Sequence, residues 1–156
     1  MPTLNATIPE HLGGPAGASP ERVREIMELR LILEPEQAAL AALRRTDQDL
    51  ERLWRNLEKQ EQAAPDEFPD LDTRMHMLVA KATGNQTLWD VAAMLHDLLS
   101  ECRTAPLWSP ERMRQSVAAH REVVRAIADA DAERARQAMR QHLHHVETAA
   151  ARGNGA

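Results

Sequence analysis

The sequence predicts an all-α fold, an antiparallel bundle of six to seven helices, on three observations. Hydrophobic residues make up 43% of the 156 but aromatics only 3%, with three Trp, one Phe and no Tyr. The core must therefore be built from Leu, Ala, Val and Met, which suits close-packed helices better than sheet. Ala, Leu, Arg, Glu and Gln dominate while β-branched residues are scarce. Helix-start signatures recur along the chain, each followed by apolar residues three and four apart. A chain of this length fits one domain and buries a core without disulfides.

Residues 1–18 hold prolines and glycines without any period and read as a disordered or extended arm. Ser19-Pro20-Glu21 then opens a helix, with Ser as N-cap, Pro at the first position and an acid in the first turn. Its apolar stripe is Val23, Ile26, Met27, Leu31 and Ile32; Pro35 predicts a kink or break near Glu34, with helix resuming to about Arg45. Thr46 and Asp49 form a capping box for a helix to about Ala63, and Pro65 to Pro69 reads as a linker. Asp70 to Ala82 is the next helix, stopped by the left-handed turn that Gly84 supplies. Asn85 caps a helix to about Arg103. Ser109-Pro110-Glu111 repeats the first opening, and Asp131 caps a last helix through Met139, Leu143 and Val146. The folded domain is thus residues 19–150, with 151–156 a disordered tail.

Composition excludes several classes. The single Cys102, read as a small apolar filler, leaves no intrachain disulfide and no cysteine zinc ribbon. No apolar run is long enough for a membrane span, and no signal-peptide pattern follows Met1, so a cytoplasmic protein without membrane partners is expected. A formal charge of -5 weighs against nucleic-acid binding by this chain alone.

The chemistry-bearing residues are dispersed. Asp72 and His76 stand four apart on one helical face. His120 lies four before Val124 and seven before Ile127, on an apolar stripe, and His142 lies four after Ala138 and four before Val146. Three imidazoles and a carboxylate from three helices suit a non-redox divalent metal. Spacing alone leaves two readings open, because seven histidines in 156 residues need no metal and Asp72 also sits in a first turn that favours any acid. His144 reads as solvent-facing, His145 as a reserve ligand at the stripe's edge, His96 as flank and His11 as tail.

At these residues the chain resembles a known family. Asp72-Thr-Arg-Met-His76, then Ala82-Thr-Gly84-Asn85 and Leu88, is similar to the D-x-x-F-H … A-x-G-N-x-x-L signature of the FCD domain. That domain is the effector-binding C-terminal part of FadR-subfamily GntR-type bacterial transcription regulators. His120, Ile127, Asp131, Ala135, Met139 and His142-Leu143 match the second signature, while Glu28, Arg30, Leu33-Glu34-Pro35 and Ala38 to Ala42 resemble the first helix. Met75 replaces the usual Phe in an apolar slot. The resemblance spans about residues 20–150 and implies a bundle around a central cavity, with one divalent ion, zinc or nickel, on Asp72, His76, His120 and His142. It further implies a small organic acid as effector and a homodimer.

Arg30 and Ser116 are the candidates for holding the effector; Arg30 has a guanidinium fork suited to a carboxylate, although an ion pair with Glu34 four residues on is an equal alternative. The family's winged helix-turn-helix finds no counterpart in residues 1–19, so direct DNA binding by this chain is not expected. The expected function is ligand sensing in transcription regulation, not catalysis. Its rivals are a metal-dependent hydrolase and a metal-free dimerisation module.

Overall fold

A computed structural model describes residues 19–102 and 108–153, apart from the side chains of 101–102 and 149–153. The expected arm at 1–18, the filler role of Cys102 and the end of the expected tail lie outside that description. Six helices follow in order: α1 (Pro20–Arg44), α2 (Asp47–Gln62), α3 (Phe68–Ala82), α4 (Gln86–Cys102), α5 (Pro110–Ala128) and α6 (Ala132–Gly153). No strand occurs among the described residues.

Local chemistry sets the helix ends. The Ser19 and Ser109 hydroxyls accept from the backbone N–H of Arg22 and Arg112, and Thr46 and Asp49 exchange the two bonds of a capping box. Asn85 and Asp131 accept in the same way from Leu88 and Arg134. The helix runs through Pro35 without the break that proline allows. A proline removes a single backbone donor, and Pro35 is itself buried where α1 packs on α3, α4, α5 and α6. The Pro65–Pro69 linker is also shorter than expected, because Pro69 sits in the first turn of α3, where its missing N–H costs nothing. At the other end, α6 runs on to Gly153, past the expected boundary at 150.

Gly84 adopts φ +68 between α3 and α4, and a Cβ added there would meet nothing within 4 Å. The cost of a side chain at this position is thus backbone strain alone. Gly84→Ala is expected to lower the unfolding free energy by about 1–2 kcal/mol, read as a lower urea midpoint with unchanged slope.

Packing places the helices around one centre. α1 lies against α6, α3, α5 and α4; α2 lies against α3 and α5, and not back along α1. Arg45, in the α1–α2 turn, donates to the carbonyls of Ile127 and Ala128 at the end of α5, where the helix dipole favours a cation. The main core is built from Leu53, Leu57, Phe68, Met75, Val79, Val123, Val124, Ile127, Met139 and Leu143. A smaller cluster joins Ile26 of α1 to Leu95, Leu98 and Leu99 of α4. One expected stripe residue of α1, Ile32, turns outward at 60% exposure, and Met94 on α4 is also exposed, at 45%. α1 buries Arg30 and Glu34 where apolar residues would be expected.

Candidate metal centre

Charged side chains are almost never buried unless paired or coordinated, yet this bundle buries polar groups on all six helices. Arg30 and Glu34 come from α1, Asn56 and Gln60 from α2, and Asp72 and His76 from α3. His96 comes from α4, Ser116 and His120 from α5, and His142 from α6.

Asp72, His76, His120 and His142 converge, each offering a ligand atom within 4.8 Å of the others. His142 Nε2 is the hub, 3.1 Å from His120 Nε2 and 3.2 Å from His76 Nε2. Asp72 Oδ1 stands 3.5 Å from His120 Nε2. The rings of His76 and His142 are stacked, and His120 meets both edge-on.

Proton bookkeeping around this hub tests whether a cation fits. Gln60 Nε2 donates to Asn56 Oδ1 at 2.7 Å and to the Leu71 carbonyl at 3.3 Å, which leaves Gln60 Oε1 facing His120. His120 Nδ1, 2.7 Å away, must then donate to it, so a neutral His120 presents a bare lone pair at Nε2. His142 Nε2 can donate to at most one of its two ring neighbours. At least one of these two close nitrogen–nitrogen contacts is therefore left without a hydrogen bond of its own, a deficit that a cation between the rings relieves. Zinc–nitrogen bonds of about 2.0–2.1 Å set two ligand nitrogens roughly 2.9–3.4 Å apart for angles from right to tetrahedral. The observed spacings fall inside that window, so the donor set fits a divalent ion.

The electrostatics agree. Burial pushes the pKa of His120 down to about 4, against a partial opposing pull from the Asp72 charge. Burial also drives His142 well below the ordinary histidine value, helped by His120 and His76. Neutral imidazoles are the form that binds metal.

Beside this cluster lies a second polar group. Burial alone would raise Glu34, but Arg30, His76 and His96 hold its carboxyl well below the usual range. Arg30 donates to both Glu34 oxygens, Nε at 2.9 Å and Nη2 at 3.3 Å, so the ion-pair alternative is present. The same Nη2 stands 3.5 Å from His76 Nε2, which keeps Arg30 at the edge of the cluster. Ser116 is buried on α5, next to a cleft of about 800 Å³ between α5 and α6 that also touches His142. Trp108, Arg112, Gln115 and His145 line that cleft too. His144 and His145 are exposed on α6.

Three participants escaped the sequence reading. His96, read as flank, is buried with Nε2 3.3 Å from Glu34 Oε1. Gln60 was not singled out in the sequence, and Glu34 was named as an ion-pair partner for Arg30 but not as a member of the centre. Only Glu34 carried a signal, its position four after Arg30.

Comparison with known proteins agrees with this architecture. The FCD domain model matches residues 25–145. A putative L-lactate dehydrogenase operon regulatory protein of Escherichia coli (strain K12) is 31% identical over 133 residues, covering 83% of this chain and 52% of that protein. The HTH-type transcriptional regulator LutR of Bacillus subtilis (strain 168) is 31% identical over 134 residues, covering 81% and 61% respectively. Both are named as regulators, not enzymes. A solved structure, Streptococcus agalactiae GntR, superposes with a TM-score of 0.72 at 28% identity, covering 81% of this chain and 58% of that one. The chain thus spans little more than half the length of the relatives it matches, and no helix among the described residues is long and apolar enough to cross a membrane. From the six-helix bundle, the shared signatures and these matches, the chain belongs to the FCD domain family, the effector-binding module of GntR-type transcription regulators.

Proposed function

We propose that this domain senses a small organic acid through a divalent metal, zinc or nickel, held by Asp72, His76, His120 and His142. The observation that carries the reading is the hub at His142, where three Nε2 atoms crowd within 3.2 Å links in a buried space. When bound, the ion would supply a Lewis-acid centre with positions left for a carboxylate oxygen. The chain's own residues supply the rest. Arg30 offers a cation 3.5 Å from His76 Nε2, and the α5–α6 cleft beside Ser116 and His142 offers a route from solvent.

An α-hydroxy acid is the effector class that suits this site best, because its carboxylate and hydroxyl can engage a metal and a polar side chain together. The operon named for the Escherichia coli relative is that of L-lactate dehydrogenase, which supports the same class. Every helix contributes a buried polar residue to the centre, so loading biases the packing of the whole bundle. In a full-length regulator that shift would reset the spacing of paired DNA-binding domains. A homodimer is part of this reading; the exposed Leu29 and Ile32 on α1, with Met94 on the adjacent α4, offer apolar surface to a second copy.

Elemental analysis of protein purified without a histidine tag is expected to find close to one equivalent of zinc or nickel. Less than a tenth of an equivalent after either metal is supplied would overturn the reading. Titration calorimetry with L-lactate should then show binding to the loaded protein and none after chelation.

A further inference from the structure

We propose that Glu34 is a positioning residue of the centre: clamped by Arg30, its carboxylate keeps His76 in the tautomer protonated at Nδ1, leaving the Nε2 lone pair to face Asp72, His120 and His142. The role rests on the metal reading above, but the tautomer is a property of the metal-free protein and is measured without it.

Glu34 Oε2 lies 2.7 Å from His76 Nδ1, with both side chains almost fully buried. The contact lacks the alignment of a linear hydrogen bond, so its effect is argued from charge. An anionic oxygen at that distance attracts a nitrogen that carries hydrogen and repels one that presents a lone pair. In a neutral ring the proton is therefore held at Nδ1 and Nε2 is bare. Arg30 stops the carboxylate from turning away, since it donates to both oxygens from one turn earlier on the same helix. His96 Nε2, 3.3 Å from Oε1, holds the other side. His76 thus acquires on α1 the kind of partner that His120 has in Gln60 on α2. A carboxylate on the far nitrogen of a ligating histidine fixes the ring and raises its basicity.

Glu34, His76 and His96 also lie within 4.8 Å of one another and could be read as a second cation site. The Arg30 guanidinium argues against that, because it engages both Glu34 oxygens and sets a positive charge where a second cation would sit.

The test uses untagged, ¹⁵N-labelled protein stripped with chelator, with the His76 ring signals assigned by their loss in His76→Gln. The expected result is the Nδ1–H form of His76 in the parent and a mixture of tautomers in Glu34→Gln. Zinc affinity, measured by competition with a chromophoric chelator, should fall roughly 10–100-fold in Glu34→Ala. Because that variant also strands the Arg30 charge, the double variant Arg30→Met/Glu34→Leu is measured beside it. Affinity that stays low in the double variant supports positioning by Glu34; affinity restored to the parent's value shows that Glu34 only neutralises Arg30. An Nε2–H tautomer in the parent overturns the proposal outright, even if every variant fails to fold. A second zinc equivalent abolished by His96→Ala would overturn it as well. A parent that binds no zinc sinks the metal reading, while its His76 tautomer still decides the role of Glu34.

Discussion

Replacing His120 with alanine is expected to weaken zinc binding by well over the roughly 10–100-fold typical of losing a group that only supports a ligand. His144→Ala should leave affinity within error of the parent. The contrast follows from position. His120 is fully buried, its Nε2 stands 3.1 Å from His142 and 3.5 Å from Asp72, and its far nitrogen is anchored on Gln60. His144 is exposed, with Glu147 as its neighbour at 3.6 Å. The alanine variant loses one donor and also leaves Gln60 Oε1 without its partner, so the remaining ligands lose part of their support. Far-UV circular dichroism of the chelated proteins keeps a folding defect separate from a binding defect. Equal losses in the two variants would show that the inward faces of α5 and α6 are wrongly assigned.

What the sequence could and could not reveal follows from the range of each interaction. Caps are local: Ser19, Thr46, Asn85, Ser109 and Asp131 bond to backbone three residues on, so their helix starts are readable from neighbouring letters. Asp72 and His76 share a helix face by spacing alone. His120 and His142 sit on apolar stripes of α5 and α6, and their inward direction was therefore also legible.

The second group was legible only in part: Arg30 and Glu34, four apart on one helix, could be paired from spacing, but their meeting with His76 and His96 comes only through tertiary packing. His96 lies between an inward Leu95 and an outward Asp97, and one stripe on α4 would leave it at the edge. In the fold α4 packs on both α1 and α3, which widens its buried face to take in Ala92, His96 and Leu99. Glu34 and Arg30 defeat a hydrophobicity pattern for the opposite reason. They are the charged residues that α1 buries, and only each other, with His76 and His96, make that burial tolerable. Pro35 shows a further limit, since the helix that a proline should interrupt is held by packing on four neighbours.

Acid is expected to destabilise the metal-free domain well before it protonates ordinary carboxylates. His120 has its pKa pushed down to about 4 in the folded protein, by burial first, with Asp72 opposing, against about 6.5 in the unfolded chain. Between those values the unfolded state binds the extra proton, so stability rises with pH across that window. The contribution is complete above pH 6.5 or so and is lost as pH falls toward 4. A gap of that size is worth on the order of 3 kcal/mol for this one histidine. His142, also lowered by burial and by its histidine neighbours, adds to the loss in the same direction. Glu34, held low by Arg30 once its own burial is overcome, contributes stability that is full above the ordinary carboxylate range and is lost as the pH falls through that range and below it. The histidines therefore govern the window from about pH 6.5 downward. Zinc held as proposed would change the shape of this curve. Binding only the deprotonated ligands of the folded state, it would add about 4 kcal/mol when free zinc is a thousandfold above its Kd, with protons competing for the same three rings. Urea midpoints at pH 7.5 and pH 5, each with chelator and with zinc, read all of this. The metal-free midpoint should fall sharply between the two pH values, and the zinc-loaded midpoint should stand far higher at pH 7.5 and converge on it at pH 5. A metal-free midpoint that is flat across that interval would show that these histidines are hydrated in solution, and a hydrated cluster would have no unpaired nitrogen contact for a cation to relieve.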